Sequence, residues 1–182
     1  ADPKFIAADL MSQAEHDKLA SSILITTSEE IADKTIAELE RQIEYLSRKE
    51  IIRKSLEDYG AVIVCDCPHC AVELANAIAP EHLEVLMKNP TEYIGKLDNA
   101  GSVFLGKYAS EPLGDYYAGP NHVLPTGGTA RFFSPLSIDD YIKKSSIISF
   151  SEDALKALGK DVIKFAEAEG LTAHANSIKV RM

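Results

Sequence analysis

Four short apolar runs, set among longer stretches of helical periodicity, constrain this chain more than any other feature. They are residues 22–27 (SILITT), 61–65 (AVIVC), 83–87 (LEVLM) and 102–106 (SVFLG). Each is short enough for a buried strand, and the first two are rich in the β-branched residues that suit a pleated surface. Helical spacing fills the gaps. Residues 5–16 place Ile6, Leu10 and Ala14 on one face. Thr27 and Glu30 form a capping-box pattern that opens a long amphipathic helix to about Ser47. A second helix reaches Tyr59, where Gly60 is expected as a left-handed cap. Pro68 suits the first turn of a helix running to Ile78, and a shorter one falls near residues 90–96. Strands alternating with helices pair in parallel across their crossovers, so the predicted class is α/β, a parallel-type layered sheet with flanking helices.

Two domains are expected. The α/β part covers residues 1–136 and a small C-terminal lobe covers 137–182. In the lobe, SIDDYIKKSSIISF predicts a short helix and a strand, and Ser151 caps a helix to about Glu169, stopped by Gly170. Residues 107–136 carry four glycines and four prolines with little periodicity. Structureless stretches of that length in a compact domain are usually functional, and the aromatic residues here argue against disorder.

Charge narrows the partners. Nineteen Lys and Arg against 28 Asp and Glu give a formal net charge of −9. That balance argues against nucleic acid, whose phosphates need a basic face, and against a polybasic membrane patch. No apolar run approaches the roughly 20 residues of a spanning helix, and no leader pattern opens the sequence. A soluble, cytoplasmic protein is expected, and three cysteines, which cannot all pair, fit a reducing compartment.

All three cysteines fall in CDCPHC, residues 65–70. Cys67 and Cys70 have the spacing of half a zinc site, but no second pair lies downstream. A zinc knuckle would need His69 as a fourth ligand, and adjacent residues at a helix start point apart. The reading preferred here makes Cys65 a small core residue and lets the other two line a strand-to-helix turn.

The other histidines suggest a thiolate-free site. Gln13 and His16 are three residues apart on the first predicted helix and share a face. Glu81 and His82 adjoin at an element junction and could carry protons of different pKa. Asp115 and His122 sit in the Gly/Pro-rich stretch, and His174 follows Glu169 near the C-terminus. Each alone has a bland explanation as a solvated surface group. Together they offer imidazole, carboxylate and amide oxygen donors, a mixed set that suits catalytic Zn²⁺ as well as Mn²⁺ or Co²⁺.

The stretches AADLMSQAEHD, NAIAPEHLEV, NAGSVFLG, LGDYYAGPNHVLPTGGTARFFSPL and EGLTAHANSI together closely resemble the histidinol dehydrogenase family. They span residues 7 to 178 in the family's order. The resemblance implies an incomplete Rossmann-like domain and oxidation of L-histidinol to L-histidine through a retained aldehyde, using two NAD⁺. It implies one Zn²⁺ held by Gln13, His16, Asp115 and His174, which also meet the substrate. His82 is then the base for the hydroxyl proton, and Glu81 activates the water that attacks the aldehyde. Glu169 binds the substrate amino group, and His122 lines the site. The cysteines receive no role.

Family members are roughly twice as long, and the main NAD contacts are expected in the N-terminal part that these residues lack. No Gly-rich dinucleotide turn is visible here. The chain is therefore expected to be the zinc- and substrate-binding half of the enzyme, inactive by itself. It should expose a sheet edge and an apolar face, and should form a homodimer with sites completed across subunits. The competing reading is a non-catalytic folded fragment that binds metal or substrate.

Overall fold

A computed structural model describes residues 1–182. They form two compact units, Ala1–Tyr141 and Ile142–Met182. The first unit is α/β. Its elements are α1 (Pro3–Ala14), β1 (Ile23–Thr26), α2 (Glu29–Ile43), α3 (Lys49–Tyr59), β2 (Ala61–Val64), α4 (Pro68–Ile78), β3 (His82–Val85), β4 (Ser102–Leu105) and α5 (Glu111–Tyr116). 3₁₀ segments lie at Pro90–Lys96, Thr129–Arg131 and Ile138–Asp140.

The strands pair in parallel, as alternation with helices demands, but in two separate ribbons of two strands. Ile23 faces Ala61 in the β1–β2 ribbon, and His82 faces Ser102 in the β3–β4 ribbon. Alternation dictates the direction of pairing and leaves the choice of neighbour open.

The core lies beneath α1. Ala7, Met11 and Ala14 cluster with Ile43 of α2 and Ile52 of α3, and Leu39 and Leu56 pack against them. Buried hydroxyls close the spaces between elements. Ser22 Oγ donates to the Leu10 carbonyl at 2.8 Å, and Ser55 Oγ donates to the Ala20 carbonyl at 2.8 Å. These bonds tie α1 and the approach to β1 onto α3. On β2, Val62 and Val64 are exposed in this chain.

Several local expectations are corrected. The N-cap of α2 is Ser28, whose Oγ accepts the Ile31 N–H, so the Thr27–Glu30 box does not form. Gly60 is extended at φ −81° because β2 begins at the next residue and leaves no room for a left-handed cap. Ala79 takes that conformation instead, at φ 54°, after α4. His16 lies beyond the C-cap Glu15 rather than on α1. The strand expected within residues 137–150 is absent, since its apolar run finds no partner strand to pair with. Cys65 is half-buried rather than a core residue.

The second unit packs α6 (Glu152–Ala168) against α7 (Thr172–Lys179). Ser151 Oγ caps α6 by accepting the Ala154 N–H at 3.2 Å. Gly159 lets α7 approach closely, because a β-carbon there would press on the Ile178 side chain at 3.2 Å. Ala166 and Ala175 are buried. No helix is long and apolar enough to cross a membrane.

Candidate functional site

Three elements of the first unit converge on His82. It opens β3, directly after the Ala79–Pro80–Glu81 junction. The register there depends on Gly101: its N–H donates to the Pro80 carbonyl at 3.0 Å, and a β-carbon would lie 2.6 Å from the Glu81 carbonyl oxygen. The Ser102 N–H donates to that same Glu81 carbonyl at 2.8 Å. Backbone pairing thus fixes the Glu81–His82 step before any side chain is considered.

From α1, Gln13 reaches His82, with Oε1 3.2 Å from Nδ1. An amide oxygen only accepts, so Nδ1 carries the proton and Nε2 keeps its lone pair. From α5 come Glu111 and Asp115, four residues apart and therefore on one helical face. Glu111 Oε1 is 4.0 Å from His82 Nε2. Gly114 permits the approach of α5, since a β-carbon there would lie 2.8 Å from the Phe104 ring. Phe104 in turn stands against His82, with ring centroids 6.0 Å apart.

Burial drives the electrostatics. His82 is held below its ordinary pKa, chiefly by desolvation, while the charges of Glu81 and Asp115 pull the other way. The imidazole is therefore neutral near pH 7. Glu111 is pushed up by desolvation and then by the charge and hydrogen bond of Asp115. His16 lies close enough for its charge to act on both His82 and Glu111. The Arg48 guanidinium donates to the His16 carbonyl at 3.3 Å and steadies that turn.

His82, Glu111 and Asp115 have ligand atoms all within 4.8 Å of one another, a grouping that could hold a metal ion. An imidazole nitrogen and two carboxylates, with the Gln13 amide oxygen beside them, are the N/O donors that zinc accepts, and a cation there would relieve the repulsion between the two acids. The donor set fits zinc. Glu111 escaped the sequence reading because Pro112 and Gly114 hide the helical period of α5. Its spacing of four from Asp115 was the available signal.

The remaining sequence candidates sit elsewhere. His122 is exposed on the segment after α5 and is not in the grouping. Glu169 caps the C-terminus of α6 and His174 lies in α7, both exposed within the second unit. His174 was expected beyond the last helix, but α7 resumes after the Gly170 turn. Cys67 is the N-cap of α4, its sulfur accepting the Cys70 N–H at 3.2 Å.

The histidinol dehydrogenase family model matches residues 1–182, the whole chain. This chain belongs to the histidinol dehydrogenase family. It is 63% identical over 180 residues to a histidinol dehydrogenase of Clostridium acetobutylicum, covering 99% of this chain and 42% of that relative. It is 62% identical over 181 residues to one from Caldanaerobacter subterraneus subsp. tengcongensis, again covering 42% of the relative. A crystal structure of histidinol dehydrogenase from Elizabethkingia anophelis superposes with a TM-score of 0.92 at 41% identity, over 100% of this chain and 42% of that one. The chain therefore spans about two fifths of the length of these histidinol dehydrogenases.

Proposed function

We propose that this chain supplies the metal- and substrate-binding part of an NAD-dependent, zinc-requiring enzyme that oxidises L-histidinol through L-histidinal to L-histidine. The observation that carries the reading is the state of His82, a neutral imidazole with Nδ1–H held by Gln13 and Nε2 free beside the α5 carboxylates. A base at that position takes a hydroxyl proton without first having to lose its own.

In this reading Gln13, His16, Asp115 and His174 hold the metal, so that of the grouping around His82 only Asp115 is a ligand and His82 stays free to act as the base. Zinc held by these residues would supply a fixed positive charge that helps to bind and orient the substrate. NAD⁺, when bound, would supply the hydride acceptor for each of the two oxidations. His82 accepts the hydroxyl proton through Nε2 as the C–H bond breaks. Glu81 takes a proton from the water that adds to the aldehyde carbon while the His82 imidazolium returns its proton to the carbonyl oxygen, so that a neutral His82 again faces a hydroxyl, now of the hydrate. Glu169 pairs with the substrate ammonium, a charge-assisted contact. His122 lines the pocket. The active form is a cytoplasmic homodimer with sites completed across subunits. The match of the family over all 182 residues supports this reading over a binding module without catalytic function.

Titration calorimetry of the intact protein with L-histidinol, with zinc and again after chelation, tests the assignment. Binding that requires zinc is the expected result. Equal binding after chelation, or none in either state, overturns it.

A further inference from the structure

A second layer of contacts lies beneath the site, made by two carboxyls with no role in the proposed chemistry. Asp9 precedes Gln13 by one helical turn on α1, and Glu84 follows His82 by two residues on β3. Helical and strand periodicity therefore put each on the same face as the site residue it accompanies. Glu84 Oε1 accepts the backbone N–H of Glu111 at 2.9 Å, and Glu111 is the first residue of α5. Glu84 Oε2 is buried and meets no N–H or hydroxyl donor. The Asp9 carboxyl lies within hydrogen-bonding reach of the Glu84 carboxyl. Two carboxyls bond only when one of them keeps its proton. Both carboxyls are half-buried, which favours that arrangement.

The two layers repeat one pattern. In the upper layer Gln13 meets His82, and His82 faces Glu111; in the lower, Asp9 meets Glu84, and Glu84 holds the start of α5. The elements α1, β3 and α5 carry every member of both layers. A six-residue helix containing Pro112 and Gly114 has little stability of its own, so its placement depends on what grips its first turn.

We propose that Asp9 and Glu84 are positioning residues, a buried carboxyl pair that ties α1 and β3 to the N-terminus of α5 and so sets the spacing of Gln13, His82, Glu111 and Asp115. Neither touches substrate or metal. The inference rests on the metal and substrate reading of the same site, but its geometry can be tested without a metal.

Four variants of the intact protein provide the test. Glu84→Gln keeps the acceptor for the Glu111 N–H and offers Asp9 an amide donor, and Asp9→Asn offers Glu84 the same. Glu84→Leu and Asp9→Leu remove the contact. Zinc affinity, read by competition with a chelating dye, should fall about 10- to 100-fold in the leucine variants and stay within about threefold in the amide variants. The ring ¹⁵N shifts of His82 in zinc-free protein should show Nδ1–H in the wild type and amide variants and a mixture of tautomers in the leucine variants. Circular dichroism identifies any variant that has failed to fold, and the Asp9 pair then replaces the Glu84 pair. Folded leucine variants with unchanged His82 tautomer and zinc affinity overturn the proposal, as do amide variants that fail as badly as leucine. Wild type that binds no zinc overturns the metal reading instead, and the ¹⁵N shifts then decide the positioning role alone.

Discussion

Replacing Ile52 by alanine should loosen the helix that carries Gln13. Ile52 is fully buried and packs in the cluster formed with Ala7, Met11 and Ala14 of α1 and Ile43 of α2. The substitution deletes three carbons, which at about 0.8 kcal/mol each is a transfer loss of roughly 2.4 kcal/mol. The cavity adds to this, because α1 is also tied down by the Ser22–Leu10 hydrogen bond and cannot collapse fully into the space. The total should come to about 3–4 kcal/mol, inside the range of about 2–5 for such truncations. For a chain of this size that lowers the melting temperature by roughly 6–16 °C. Equilibrium urea unfolding followed by circular dichroism measures it, with Ile52→Val expected to cost only about 1 kcal/mol. A loss below about 1 kcal/mol for alanine, with an unchanged denaturant slope, would refute the argument that this cluster holds α1 in place.

Other perturbations separate the chemistry from the scaffold. His82→Asn should leave zinc and histidinol binding within a few-fold of wild type while lowering turnover by about 10²–10⁴, measured as kcat for NADH formation by the intact enzyme. Gly114→Ala drives a methyl group into the Phe104 ring and should displace Asp115, weakening zinc binding in a dye competition assay by about tenfold or more. Replacing Cys65, Cys67 and Cys70 together by serine should leave zinc stoichiometry unchanged, as read by atomic absorption after dialysis. Glu84 has its pKa raised on folding to about 8 from 4.5, so the folded state holds the proton more tightly. Its contribution to stability is complete below about pH 4.5 and is lost as pH rises toward 8. Melting temperatures between pH 5 and 9 should fall more steeply for wild type than for Glu84→Gln.

The parts of the site visible in the sequence were those whose residue types announce chemistry. Gln13, His82 and Asp115 stand out by type and spacing, and the structure brings them to one place. Glu111 and Glu84 do not stand out, because one acid among 28 carries no signal until the fold buries it. The strands were legible as β-branched runs between helical periods, but nothing in those runs specifies two ribbons in place of one sheet. Left-handed backbone was expected at Gly60, where glycine makes it easy, and occurs at Ala79, where packing imposes it. The end of α4 is held by other means as well, since the Arg131 guanidinium donates to the Ala77 carbonyl. The helix α7 went unread because a glycine stop resembles the end of a fold when only eight residues of helix follow.

The contact between Gln13 and His82 joins residues 69 apart in sequence. Closing a loop of that length costs roughly 4 kcal/mol in chain entropy from its length dependence alone, a cost that the neighbouring helices α1, α2 and α3 largely avoid. In refolding from denaturant, helical signal should therefore return well before His82 acquires its amide partner. Zinc added early would meet a chain that has its helices and not yet its donors, so the order of addition governs how much correctly loaded protein a refolding reaction yields.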